Sequence, residues 1–228
     1  MKRSNSMGIQ SHDNLASFKQ KVAYHEAGHA TGIHFNCTRR NLPPVFFQII
    51  FKHLEEKPID SQLTDQINPY DCIAKVKGGR LIQTLPMPLK SWHPHAFISI
   101  KQKPRPYTDD YRLALEADVV NLLVGPLAEA KYIALMDNEP FHQQLLAIPA
   151  LKNYGGDDDL AAVYDYLQSY SADKQEQDVT LNQLFIKAFN FVNDDVNWSA
   201  ITHLANFILT SNKNRISCEE VATILEDK

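Results

Sequence analysis

The chain has 228 residues and a net charge of −4, with 44% of its residues apolar and 22% charged. That balance is ordinary for a globular protein of one large domain or two small ones. No Lys/Arg-rich stripe offers the footprint of a nucleic-acid binder, no apolar run approaches a membrane span, and no signal-peptide core opens the chain. The expectation is therefore no nucleic-acid partner, no membrane span and a cytoplasmic setting. Cys37, Cys72 and Cys218 form neither a CxxC pair nor a disulfide framework, and read as free thiols in a reducing compartment.

Residues 1–14 are polar and aperiodic, which reads as a disordered lead-in to a single domain over 15–228. From Leu15 to about Asn36 the spacing predicts a helix, with Val22, Ala23, Ala30 and Ile33 as apolar positions. This helix carries His25-Glu26-Ala27-Gly28-His29, an HExxH motif. Residues four apart share a helix face, so His25 and His29 can grip one metal ion, and Glu26 beside them can take a proton from a water that the metal activates. Gly28 weakens a helix and asks for a packing or access reason; with Ala27 it leaves room near a metal. Without a metal, the same stretch is an amphipathic helix with two partly buried histidines. Residues 37–44, with Arg39-Arg40 and Pro43-Pro44, punctuate the chain as a loop.

Over residues 45–103 the texture changes to short runs rich in β-branched and aromatic residues: VFFQIIF, CIAKV, RLIQTL and AFISIK. Gly78-Gly79 between two of them predicts a hairpin turn, and residues 63–69 a loop. A small antiparallel sheet beside the motif helix is expected, one edge of which could bind substrate as an added strand. Residues 109–136 return to helical spacing through Leu113, Ala117, Val120, Leu123 and Leu127, with Gly125-Pro126 expected to kink or divide the helix. Residues 138–149 read as a connection or short helix. Gly155-Gly156-Asp157-Asp158-Asp159 then opens a helix with Leu160, Val163, Tyr164 and Leu167 on one face. A helix or helix pair follows over 180–210, and Ser217-Cys218-Glu219-Glu220 opens a short final helix.

A catalytic zinc site takes three protein ligands and keeps one position open. His34 falls one residue early for the extended pattern HExxHxxGxxH, where Phe35 stands instead. On a continuing helix it points about 180° away from His25. Glu129 could be a glutamate ligand from a second helix, but reads more readily as a charge or hydrogen-bond partner near a helix interior. The acidic turn at Asp157, Asp158 and Asp159 is the stronger source of a third ligand, with the choice among the three open. His93 and His95 lie in a Pro-rich stretch and read as surface residues.

Taken in order, these pieces resemble the peptidase domain of the FtsH-type ATP-dependent zinc metalloproteases. VAYHEAGHA is very similar to that family's zinc motif. LLVGPLAEAKY (residues 122–132) resembles its LxGxxAEE-like helix, and GGDDDLAAVYDYL its aspartate-bearing helix start. NWSAITHLANFIL and ISCEEVATIL are similar to its C-terminal helices. The resemblance covers residues from about 15 to 36 and 110 to 226. It implies an α+β, predominantly α-helical zincin-like domain with a small sheet inserted after the HExxH helix. Residues 41–107 form the divergent, sheet-containing region and 109–228 the helical part.

It also implies one Zn2+ held by His25, His29 and Asp159, the last chosen by aligning the Asp-Leu step, with Glu26 as general base. Asp157, Asp158 and Glu129 remain possible partners that orient the histidine rings. No GxxxxGK[ST] phosphate loop is present, and Pro126 stands where the family has an arginine. The resemblance thus implies a metallopeptidase without its own ATPase. It would act on peptides or unfolded proteins, some delivered by a separate ATPase or adaptor, and could self-associate as the family's rings do. The alternative is a catalytically inactive binding or regulatory module that keeps the fold, with or without the metal.

Overall fold

Two long helices cross at the centre of the computed structural model, which describes residues 6–39, 42–51, 74–84 and 105–226. Helix α1 (Ser6–Arg39) carries the HExxH motif and α2 (Arg105–Met136) forms the middle of the core. Helix α1 begins at Ser6, so it takes in most of the stretch read as a lead-in, and it continues past Asn36. On α2, an almost unbroken run from Ala114 to Ala130 is buried. By length and composition α2 is apolar enough to cross a membrane, contrary to the reading from composition, yet most of that segment is buried inside the protein. Pro126 lies within it, and the helix passes through the proline as one element rather than dividing.

The two helices meet where Gly28 has no side chain. A Cβ there would fall 2.8 Å from Ala128 Cβ and 2.9 Å from the Val124 carbonyl oxygen. Gly28 therefore serves close helix packing, which corrects the expectation that it leaves room for a metal. Ala23, Ala27 and Ala30 on α1 and Leu123, Leu127 and Ala128 on α2 fill the surrounding core.

Among the described residues the sheet has three antiparallel strands in the order β2-β1-β3: β1 (Phe47–Phe51), β2 (Ala74–Gly78) and β3 (Arg215–Ser217). Ile49 sits opposite Val76 on one side and Ile216 on the other, and Ile49 and Ile216 are fully buried. The third strand thus comes from the C-terminal part of the chain, so the sheet is not built solely from the region after α1. RLIQTL does not form a strand. Gly78 and Gly79 turn the chain into a 3-10 segment, Leu81–Thr84, and among the described residues they close no hairpin. Asp118 on α2 accepts hydrogen bonds from the Leu81 and Ile82 amides at 2.8 and 3.1 Å, which fixes this turn against the core. The AFISIK run, residues 63–69, Cys72, His93 and His95 lie outside the described residues.

Two short 3-10 segments, Gln143–Leu145 and Ile148–Tyr154, lead into α3 (Asp157–Tyr170). Its first turn holds Asp157, Asp158 and Asp159, where negative charge suits the helix dipole. Leu160, Val163 and Leu167 form its buried face. The expected helix pair is α4 (Lys174–Asn193) and α5 (Asp195–Thr210). Asp173 and Asp194 cap them by accepting from the Gln175 and Asn197 amides, each at 2.9 Å. Helix α6 (Cys218–Glu226) opens on a capping box: Glu220 N donates to Ser217 Oγ, and Ser217 N donates to Glu220 Oε2. The result is a mostly helical α+β fold with a small sheet on one flank.

Candidate metal centre

Helical spacing puts His25 and His29 one turn apart on the face of α1 that looks toward α2 and the start of α3. Their Nε2 atoms lie 3.0 Å from each other. Asp159 Oδ2 is 3.2 Å from His25 Nε2 and 3.4 Å from His29 Nε2. Among the described residues these three form the group able to hold a metal ion. A tetrahedral site with donors about 2.1 Å from the ion has donor–donor edges of roughly 3.4 Å, close to the separations here.

The far side of each ring fixes which nitrogen carries the proton. His29 Nδ1 donates to the Asn121 carbonyl at 2.8 Å. His25 Nδ1 meets the Tyr154 carbonyl and Glu129 Oε2, each at 3.1 Å. A carbonyl only accepts, so both Nδ1 atoms bear hydrogen and both Nε2 atoms present lone pairs. Two imidazole lone pairs and a carboxylate then converge on one point, an arrangement that needs a cation at its centre. In the metal-free state a proton takes that part. Burial lowers the His25 pKa, but the hydrogen bonds with Asp159 and Glu129 and the charges of Asp159 and Glu26 outweigh it and raise it well above the ordinary value. Burial likewise disfavours ionised Asp159, yet the His29 and His25 rings hold its carboxyl far below the usual carboxylate range.

The sequence-predicted residues separate cleanly. His25, His29 and Asp159 come together, with Glu26 beside them on the same cleft. Glu129 lies behind His25 on Nδ1, where it orients the ring instead of sharing the convergence point. Asp157 and Asp158 are exposed, and Asp158 pairs with Lys75 at 3.8 Å. His34 packs on Phe35, away from the site, and burial lowers its pKa.

Glu26 is buried, and its Oε2 accepts the Val76 amide at 2.6 Å. Burial raises its pKa, while His25, His29 and the Val76 amide partly offset the rise; a bound cation would act in the same direction as those groups. Val76 belongs to β2, which among the described residues is an edge strand of the sheet. The strand and the turn after it form one wall of a cleft of about 340 Å³, and the start of α3 lines it too.

Three residues that sequence reasoning did not assign complete the site. The Asn121 carbonyl orients His29; Asn121 itself is held by Asn36, whose Nδ2 donates to Asn121 Oδ1 at 2.5 Å. Gly125 gives the His29 ring its space, since a Cβ there would stand 2.3 Å from Nε2. The Tyr154 carbonyl braces His25. A signal for two of them was present: α2 is apolar almost throughout, so the polar Asn121 and the glycine at 125 are out of keeping with a plain core helix.

Compared with models of protein families, with curated proteins and with solved structures, the chain matches none of them. The functional reading therefore rests on the residues and their geometry.

Proposed function

We propose that the chain is a zinc-dependent metallopeptidase that hydrolyses peptide bonds in the cytoplasm without an ATPase of its own. Its substrates would be peptides, or unfolded proteins brought by a partner. The observation that carries this reading is the convergence of His25 Nε2, His29 Nε2 and Asp159 Oδ2 with Glu26 alongside. A donor set of two imidazoles and one carboxylate, leaving a fourth position open, is that of a hydrolytic zinc site. Bound zinc would supply Lewis acidity, lowering the pKa of a water and polarising the scissile carbonyl.

The chain's own residues would do the rest. Glu129 and the Asn121 and Tyr154 carbonyls hold the two imidazoles in the tautomer that presents Nε2. Glu26 takes a proton from the attacking water at its carboxylate and later passes it to the leaving amine. Burial, which raises its pKa, makes it a stronger base than an exposed carboxylate. A peptide laid along the β2 edge would bring a carbonyl to the Val76 amide, releasing Glu26 from the hydrogen bond it makes there.

That same hydrogen bond favours a second reading, an inactive binding or regulatory module, because it engages the carboxylate meant to serve as base. One experiment separates the two. The wild-type chain should bind one equivalent of zinc and cleave an unfolded protein such as casein; Glu26→Gln should keep the zinc and lose cleavage by at least about a thousandfold. Undiminished proteolysis by the Gln variant would remove Glu26 from its role. Stoichiometric zinc with no cleavage by the wild type would favour the binding module.

A further inference from the structure

Of the cations on β2 and its following turn, Lys75 and Arg80 line the cleft, and they are in different situations. Lys75 is exposed and paired with Asp158 across the cleft mouth. Arg80 is half-buried and lines the same cleft as His25, Glu26 and His29; its carbonyl accepts from the Gln83 amide, but its guanidinium makes no ion pair or hydrogen bond among the described residues. Asp118, which feels the charge of Arg80, is already engaged by the Leu81 and Ile82 amides and the Tyr166 hydroxyl. Those bonds anchor the residues that directly follow Arg80, so its backbone is fixed beside the site.

A guanidinium withdrawn from water and left without an acceptor is costly. It is also pre-organised for a planar, bidentate anion. The exposed Asp157 and Asp158 line the same cleft, and Asp158 is paired with Lys75, so Arg80 supplies the unpaired positive charge to which an anion in the cleft is drawn.

We propose that Arg80 is a specificity residue that binds a substrate carboxylate next to the bond that is cut. That carboxylate is either an acidic side chain or a free C-terminus. This inference rests on the metallopeptidase reading above and names the substrate class for it.

The test uses the zinc-loaded full chain and small hydroxamates, whose binding needs no turnover. Succinic, glutaric and adipic monohydroxamates are compared with their methyl esters by calorimetry. At least one free acid should bind about tenfold or more tighter than its ester, as a charge-assisted Arg–carboxylate pair implies. That preference should fall to near unity in Arg80→Gln and return in part in Arg80→Lys. Thermal melts check that both variants fold.

Peptide arms then distinguish the source. Faster cleavage of C-terminally amidated peptides with an internal Asp or Glu identifies a side-chain subsite, and faster cleavage near a free C-terminus identifies a terminal one. Acids and esters that bind equally, or a preference that survives in Arg80→Gln, would overturn the proposal. Zinc content is measured first. Its absence would overturn the metallopeptidase reading and this inference with it, whereas zinc without any carboxylate preference would overturn this inference alone.

Discussion

At Gly125 one hydrogen atom in place of a side chain decides whether His29 can reach the metal position. The ring edge that bears Nε2 lies against the α2 backbone there, while its other nitrogen is held by the Asn121 carbonyl from the same helix. Gly125→Ala should leave helix propensity unharmed or improved, since alanine is the better helix former. It should nevertheless push the imidazole out of position, and zinc affinity is expected to fall by at least about tenfold to a hundredfold. Competition with a chromophoric chelator measures this directly; unchanged affinity would mean that the ring has another way to reach the ion. Glu129 and Asp159 show the same economy in another form. Both carboxylates touch His25, one on Nδ1 and one on Nε2, and only the nitrogen each addresses separates an orienting role from a ligating one.

Elements place these residues through a few polar anchors on α2. Asp118, Asn121, Glu129 and Lys131 are buried within the mostly apolar stretch of α2 from Ala114 to Lys131. Lys131 Nζ donates to the Val192 carbonyl and lies 4.5 Å from the centre of the Trp198 ring, tying α2 to α4 and α5. Asp118 ties α2 to the turn after β2, and so to the wall of the cleft. Asp118→Ala would leave two backbone amides without their acceptor, at an expected cost of about 3 kcal/mol. Urea unfolding should register that loss. Zinc stoichiometry should survive, because the ligands stand on α1 and α3. Loss of both together would mean that the cleft wall and the metal ligands form one cooperative unit.

For the molecule as a whole, the site links stability to pH in opposite directions with and without metal. In the metal-free protein the lowered Asp159 pKa contributes stability above the unfolded carboxylate value of about 4, lost as pH falls. The raised His25 pKa contributes stability that is complete below the unfolded imidazole value of about 6.5 and lost as pH rises through the folded value. Metal-free protein should therefore be most stable between about pH 4 and 6.5 and weaken above that range. Zinc requires the same nitrogens unprotonated, so the stabilisation it adds should grow over the same rise. Melting curves with EDTA and with zinc from pH 5 to 8 should diverge; parallel curves would show that these side chains do not bind the metal.

Much of this could be read along the chain because it is local. HEAGH on a helix specifies two nitrogens and a carboxylate by spacing alone, and the apolar periods of α2, α3, α4 and α5 follow from burying one face or all of them. The acidic start of α3 announced a carboxylate, but three aspartates in a row differ only by about 100° of rotation each. Packing of Leu160, Val163 and Leu167 into the core turns Asp159 inward and leaves Asp157 and Asp158 in solvent. The third strand was not legible, since three residues carry no period and β3 exists only because β1 lies beside it. RLIQTL has the composition of a strand and became a 3-10 turn because Asp118, distant in sequence, captures two of its amides. The chain by itself determined the two histidines and the carboxylate of Glu26 beside them. Tertiary packing decided which carboxylate completes the set, which one steadies a histidine, and that the cleft beside them is walled by an edge strand.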